Sequence, residues 1–108
     1  PPIIVVDKYR LVLRSPGRAA AKPSGAITVT NKGSADLPLW KIDPKSLPDW
    51  LSVRVEGNGK RQAFVNAVSP AGLKKGTYHA LVRADNVEPV SGQPMSALYY
   101  DVDLEVLR

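Results

Sequence analysis

Three acidic residues near the end of the chain alternate with apolar ones, and this spacing could bring carboxylates together. Asp101, Asp103 and Glu105 are separated by Val102 and Leu104, so on a β-strand the three carboxylates form one outward row. Carboxylate oxygens are ligands that Ca²⁺ prefers, and two neighbouring carboxyl groups could also act as acid and base in hydrolysis. The alternative is charge pairing with basic side chains on a neighbouring strand.

Two basic side chains on the preceding predicted strand favour charge pairing. His79 and Arg83 alternate out of phase with Tyr78, so we expect them on the outer face, with Arg83 near Asp101 or Asp103. His79 is the only histidine and there is no cysteine, which excludes metal sites built from two histidines or from thiolates. We therefore expect no catalytic residue, no metal site and no cofactor, and we expect that the chain is not an enzyme.

Exposed aromatic residues are the remaining source of binding chemistry, because the C–H groups of a sugar ring can stack on an aromatic face. Trp40 and Tyr100 share faces with apolar residues and are expected in a core. Trp50 follows a loop, and Tyr99 falls in the outward phase of the acidic row, so these two are the candidate carbohydrate-binding residues. Packing at the end of the core for Trp50 and a plain surface position for Tyr99 are the alternatives.

Turn residues divide the chain into short segments with period-2 alternation, which is typical of an all-β sandwich. Residues 1–8 predict a linker or an edge strand because they contain two prolines, and Pro38 indicates an edge or a bulge. Residues 85–94 predict a long polar loop, and no segment predicts a helix. The seven predicted strands cover residues 8–14, 26–30, 37–42, 50–55, 63–68, 76–84 and 98–106.

The alternation phases of these segments predict one core. Tyr78 enters its strand just after a turn, where sandwich folds tie a tyrosine hydroxyl back to the upstream backbone in a tyrosine corner. The predicted core side chains are Leu11, Ile27, Val29, Trp40, Leu51, Val53, Phe64, Tyr78, Val82, Val102 and Leu104.

Length and charge indicate a single domain over residues 1–108 with a dispersed basic surface. The 108 residues carry a formal charge of +5, but the basic residues are spread along the chain rather than clustered, so we expect no nucleic-acid partner. No apolar run is long enough to span a membrane. The chain begins with Pro1 rather than methionine, and we expect it to be a domain of a longer protein.

Four segments stand in a characteristic order before the alternating terminal strand, and they are residues 27–34, 39–40, 48–53 and 73–78. Together with that strand they resemble BACON-type immunoglobulin-like domains, which are modules of exported bacterial proteins and often lie beside glycoside hydrolases. The resemblance covers nearly the whole chain after Tyr9 and implies an immunoglobulin-like sandwich of about seven antiparallel strands in an extracellular or periplasmic protein. It also implies carbohydrate binding, because this was inferred for some members of the family.

Fold and resemblance together predict a non-catalytic accessory module that acts as a spacer or docking domain. Its expected partners are neighbouring domains of the same polypeptide, with weak binding of a polysaccharide as a further option. The alternative is an intracellular protein-interaction sandwich of the sperm-protein-like type, which residues 31–34 also resemble.

Overall fold

A computed structural model describes residues 3–16, 22–33, 39–88 and 90–108, which form eight β-strands. Among these residues, the helical structure is one turn of 3-10 helix at Pro44–Ser46. The described residues contain no helix that is long and apolar enough to cross a membrane. The strands are β1 (Ile4–Val6), β2 (Arg10–Ser15), β3 (Ser24–Asn31), β4 (Leu39–Ile42), β5 (Leu51–Asn58), β6 (Arg61–Val68), β7 (Gly76–Val87) and β8 (Pro94–Val106).

The strands pair into two four-stranded sheets, with orders β1-β3-β6-β5 and β2-β8-β7-β4. These orders correspond to the two sheets of an immunoglobulin constant-type sandwich, with β2 added beside the last strand. The predicted all-β, immunoglobulin-like sandwich is therefore confirmed. The prediction of seven antiparallel strands is wrong in two details. The segment predicted as a linker or edge strand contains β1, an eighth strand, and β2 runs parallel to β8.

The inner faces of the two sheets make one apolar core. All eleven predicted core side chains are buried or half-buried, which confirms the strand registers inferred from alternation. Phe64 lies at the centre, stacked on Tyr100 and edge-on to Trp40, with ring centroids 6.0 Å apart in both pairs. Only Val53 and Tyr78 of the predicted set remain half-buried, because both lie towards the rim of the core.

A buried hydrogen bond joins the two sheets beside these rings. The Tyr100 hydroxyl on β8 donates to Asn66 Oδ1 on β6 at 2.7 Å, and both residues are almost completely buried. Asn66 Nδ2 donates in turn to the carbonyl oxygens of Phe64 and Gly25, at 3.0 and 3.3 Å. The polar atoms of the pair are thus satisfied inside an apolar core, as buried polar groups must be.

The predicted polar loop at residues 85–94 is much shorter than expected. β7 continues to Val87 and β8 starts at Pro94, so the two strands form a long hairpin, and residues 85–87 also pair with β4. Glu88 orders the turn, because its carboxylate accepts hydrogen bonds from the backbone of Ser91 and Val90, and these bonds lower the pKa of Glu88. The bulge or edge predicted at Pro38 lies outside the described residues.

The two ends of the described chain lie at opposite poles of the sandwich. Ile3 accepts a hydrogen bond from Lys32 at one pole, and Leu107 donates to Ser15 at the other. β1 and β2 run in the same direction between them, with bends at Asp7 and Tyr9, so residues 4–15 cover at most roughly 40 Å at about 3.3 Å per residue. The molecule measures 47 × 23 × 19 Å.

Replacing Tyr100 by phenylalanine should destabilise the fold and change its response to alkali. Loss of the hydroxyl leaves Asn66 Oδ1 buried without its donor, which should cost about 1–3 kcal/mol in urea unfolding at neutral pH. Burial raises the pKa of Tyr100 above its ordinary value of about 10. Above about pH 10 the unfolded state therefore loses the hydroxyl proton of Tyr100, whereas the folded state keeps it. The contribution of the Tyr100 hydroxyl to the free energy of unfolding is complete below about pH 10 and is lost as the pH rises through the folded-state pKa.

Tyr99→Phe is the matched control, because Tyr99 is the adjacent, exposed tyrosine. It should unfold as the unchanged protein does, at neutral and at alkaline pH. Equal stability of Tyr100→Phe and Tyr99→Phe at both pH values would show that the inter-sheet hydrogen bond contributes nothing.

Candidate functional site

Trp50 lies in a cleft at one pole of the sandwich, the pole at which β8 ends. The backbone turns just before β5, where Leu51 N–H donates to the Pro48 carbonyl at 3.1 Å, and Ser69 N–H donates to the Trp50 carbonyl at 2.8 Å. The cleft has a volume of about 570 Å³ and is lined by Pro48, Asp49, Trp50, Ser69, Ala71 and Leu73.

The Trp50 ring is half-buried and is held from behind by Tyr78. The two rings meet edge-on, with centroids 6.4 Å apart and planes at 64°. The Tyr78 hydroxyl donates to the Lys74 carbonyl at 2.7 Å, so the tie predicted for a tyrosine corner is present. The ring is only half-buried, because Tyr78 lies at the rim against Trp50 rather than between the sheets.

Chemically, the cleft offers one aromatic surface, one carboxylate and one hydroxyl. Trp50 could stack on an apolar face of a ligand, and Asp49 and Ser69 line the same space with groups that accept or donate hydrogen bonds. The prolines of the surrounding loop and the tyrosine corner restrict its backbone, so the wall of the Trp50 cleft is largely preformed. This arrangement suits a small neutral polar ligand such as a sugar unit.

The second candidate, Tyr99, lies elsewhere. Tyr99 is on the outer face of β8, whereas Tyr78, beside Trp50, pairs with Leu104, five residues further along the same strand. At about 3.3 Å per residue the two positions are roughly 17 Å apart. The structure therefore does not bring Trp50 and Tyr99 into one site.

The ring of Tyr99 already has a neighbour. Tyr99 is 47% exposed, and the Arg83 guanidinium carbon lies 5.9 Å from its ring centroid, within cation–π range. Arg83 Nε donates to Asp85 Oδ1 at 2.9 Å, and this bond, with the charge of Asp85, raises the pKa of Arg83. Arg83 thus covers one face of the Tyr99 ring, and the carboxylate of Asp85 holds Arg83 in place. Less of the ring is then free to stack on a sugar.

The acidic row on β8 is used for charge pairing, with His79 as predicted, but with Arg10 and Arg14 in place of Arg83. Arg10 on β2 contacts both Asp101, at 3.4 Å, and Asp103, and His79 Nε2 lies 2.7 Å from Asp101 Oδ1. Arg14 Nε lies 3.9 Å from Glu105. In the part of the chain that the structure describes, no three histidine or acidic side chains are grouped to hold a metal ion.

The predicted approach of Arg83 to Asp101 or Asp103 is wrong. In the actual register Arg83 lies opposite Tyr99, and its ion pair is with Asp85 on its own strand. Sequence reasoning missed Arg10 because β2 was not expected beside β8. The signal was present, since Arg10 and Arg14 alternate with leucines at the spacing of the acidic row.

Comparison with known proteins supports the fold and no more. No family model matches the chain, and no curated protein matches it. Among solved structures it is similar to the VesB protease of Vibrio cholerae, with 18% sequence identity and a TM-score of 0.56. The match covers 94% of this chain and 31% of the protease chain, so this chain spans about a third of that protein's length.

Removing the Tyr78 hydroxyl should loosen the wall of the Trp50 cleft. Tyr78→Phe keeps the ring against Trp50 but loses the bond to Lys74, and should cost about 0.5–1.5 kcal/mol in urea unfolding. The environment of the indole should change at the same time, which near-ultraviolet circular dichroism can record. Tyr9→Phe, at an exposed tyrosine, is the control, and equal stability of the two variants would contradict the tie.

Proposed function

We propose that this chain is a non-catalytic accessory module that acts as a spacer or docking domain within a larger exported protein. The observation that carries the proposal is the path of the chain, which enters at one pole of a 47 Å sandwich and leaves at the other. A domain threaded in this way holds whatever is attached to its two ends at a fixed separation. The partners are then neighbouring domains of the same polypeptide.

The pairing of the strands supports this proposal mechanically. β2 and β8 pair in parallel over six residues, so the segment that enters and the segment that leaves lie side by side in one sheet. Tension between the two ends then loads the hydrogen bonds of this pair along the strands, where several must break together. The match to about a third of a protease chain is consistent with a sandwich of this shape being joined to a larger remainder.

Weak carbohydrate binding in the Trp50 cleft is a second proposed activity. The observation that favours it is the half-buried indole in an open cleft with Asp49 and Ser69 at its wall. One stacking surface and two polar groups must first offset the cost of immobilising the ligand, so the expected affinity is low. The intracellular protein-interaction sandwich remains the rival interpretation, and extracellular or periplasmic localisation rests on the resemblance alone.

The spacer proposal predicts one narrow distance between the ends. The natural chain has no cysteine, so Ile3→Cys with Leu107→Cys gives two unique labelling sites at exposed positions. Paired spin or fluorescent labels should report a single distribution no longer than roughly 40 Å, widened only by the label linkers. The matched control is Ile3→Cys with Val90→Cys, at the same pole, which should give a clearly shorter distance. A broad distribution for the first pair would contradict a rigid spacer.

The carbohydrate proposal predicts millimolar affinity at best. Calorimetry of the chain against soluble plant, bacterial and host glycans should give no dissociation constant tighter than about 1 mM, or about −4 kcal/mol. Any binding that is found should be lost in Trp50→Ala and kept in Tyr99→Ala, because the two residues do not share a site. A micromolar constant abolished by either substitution would overturn the spacer interpretation and establish a binding module.

A further inference from the structure

The outer face of the β2-β8-β7-β4 sheet combines exposed apolar side chains with equal numbers of basic and acidic ones, and we propose that this face binds a second copy of the chain. The proposal is independent of the spacer function. It starts from three exposed side chains on the face: Val12 on β2 is 62% exposed, Leu81 on β7 is 49% exposed and Tyr99 on β8 is 47% exposed.

These side chains surround one point of the face. Leu81 lies opposite Asp101, two residues from Tyr99 on β8, so Leu81 and Tyr99 are diagonal neighbours about 7 Å apart. Val12 lies opposite Asp103 on the other side of β8. Tyrosine and arginine are the residue types enriched at protein interfaces, and Tyr99 is already ordered by Arg83, which reduces the entropy lost on association.

The charges on the face cancel. Its outward positions carry four basic side chains and four acidic ones, so its net charge is zero and the whole formal charge of +5 lies elsewhere on the chain. Two copies of a +5 protein repel each other, and they approach at least cost where the facing surfaces are neutral. The basic side chains are Arg10, Arg14, Lys41 and Arg83, and the acidic ones are Asp85, Asp101, Asp103 and Glu105.

A second copy fits this face better than a partner of opposite charge. An acidic partner would be attracted to the basic remainder of the surface, whereas the face itself offers no excess charge to attract it. Leu81 and Val12 remain about half exposed or more, and the face of the Tyr99 ring away from Arg83 is also open, so these form the apolar area available for burial. Two such faces can meet about a two-fold axis, where the apolar groups of one copy contact those of the other.

The size of the face sets the strength of the dimer. Four strands at about 4.8 Å and six residues at about 3.3 Å give a flat area of roughly 400 Å². Stable complexes bury about 800 Å² on each partner, so this contact belongs to the weak, transient class. We therefore expect a dimer in the high-micromolar range, present at high concentration and absent from dilute samples.

Sedimentation equilibrium over a wide range of concentration tests the proposal. The unchanged chain should show a monomer–dimer equilibrium, and Leu81→Ser combined with Tyr99→Ser should weaken it at least tenfold. Val90→Ser is the matched control, because Val90 is a 94% exposed apolar residue at the hairpin tip, away from the face. Leu81→Lys provides a second test, since it adds like charges across the two-fold axis. The melting temperature of each variant shows that it is folded.

Ionic strength gives an independent readout. Raising the salt from about 0.01 M to about 0.1 M shortens the screening length from about 30 Å to about 10 Å, which reduces repulsion between the two basic molecules. The dimer should therefore become tighter as salt is added. A monomer at every concentration, a dimer lost in Val90→Ser but kept in the double variant, or a dimer weakened by salt would each overturn the proposal.

Discussion

The parallel pairing of β2 with β8 is the constraint on which the other features depend. The chain starts in one sheet as β1 and crosses to the other as β2, so a single segment borders both sheets. This crossing places Arg10 beside Asp103, 93 residues later in the chain, and it runs the entering strand alongside the leaving one. The separation of the ends and the neutral outer face both follow from this pairing. A sandwich without it would have an uncompensated acidic row on β8.

The sequence predicted those features that alternation alone determines. Period-2 patterns give the inward and outward residues of each strand, which is why Phe64, Val82 and Val102 were all placed correctly in the core. Alternation does not say which strand lies beside which, so the partner of Asp101 was predicted as Arg83 rather than Arg10. The hairpin beyond Ala84 was missed for a related reason. Asp85 and Asn86 are polar and so resemble a loop in the sequence, although this segment pairs with β4 as well as with β8.

The candidate site shows the same division between local and long-range information. Trp50 became a candidate because it follows a loop and flanks a strand, with packing at the end of the core as the alternative. The remaining lining residues, Ser69, Ala71 and Leu73, come from the loop between β6 and β7, and only the pairing of β5 with β6 brings that loop against Trp50. The tie from Tyr78 to Lys74 was predictable because it is local, spanning four residues.

The inter-sheet bond between Tyr100 and Asn66 contributes to the stability of a sandwich that has no cysteine. Antibody domains join their sheets with a disulfide, whereas here a satisfied hydrogen bond beside a stacked ring pair joins the sheets. The Trp50 cleft and the outer face both lie outside this core and are open to solvent. Both surfaces are small, and each supports only weak contacts. Weak contacts become effective when a chain is tethered beside its partner, because the effective concentration then reaches the millimolar range. The proposed accessory module, with its two ends at opposite poles, would suit that form of binding, in which attachment rather than affinity brings the surfaces together.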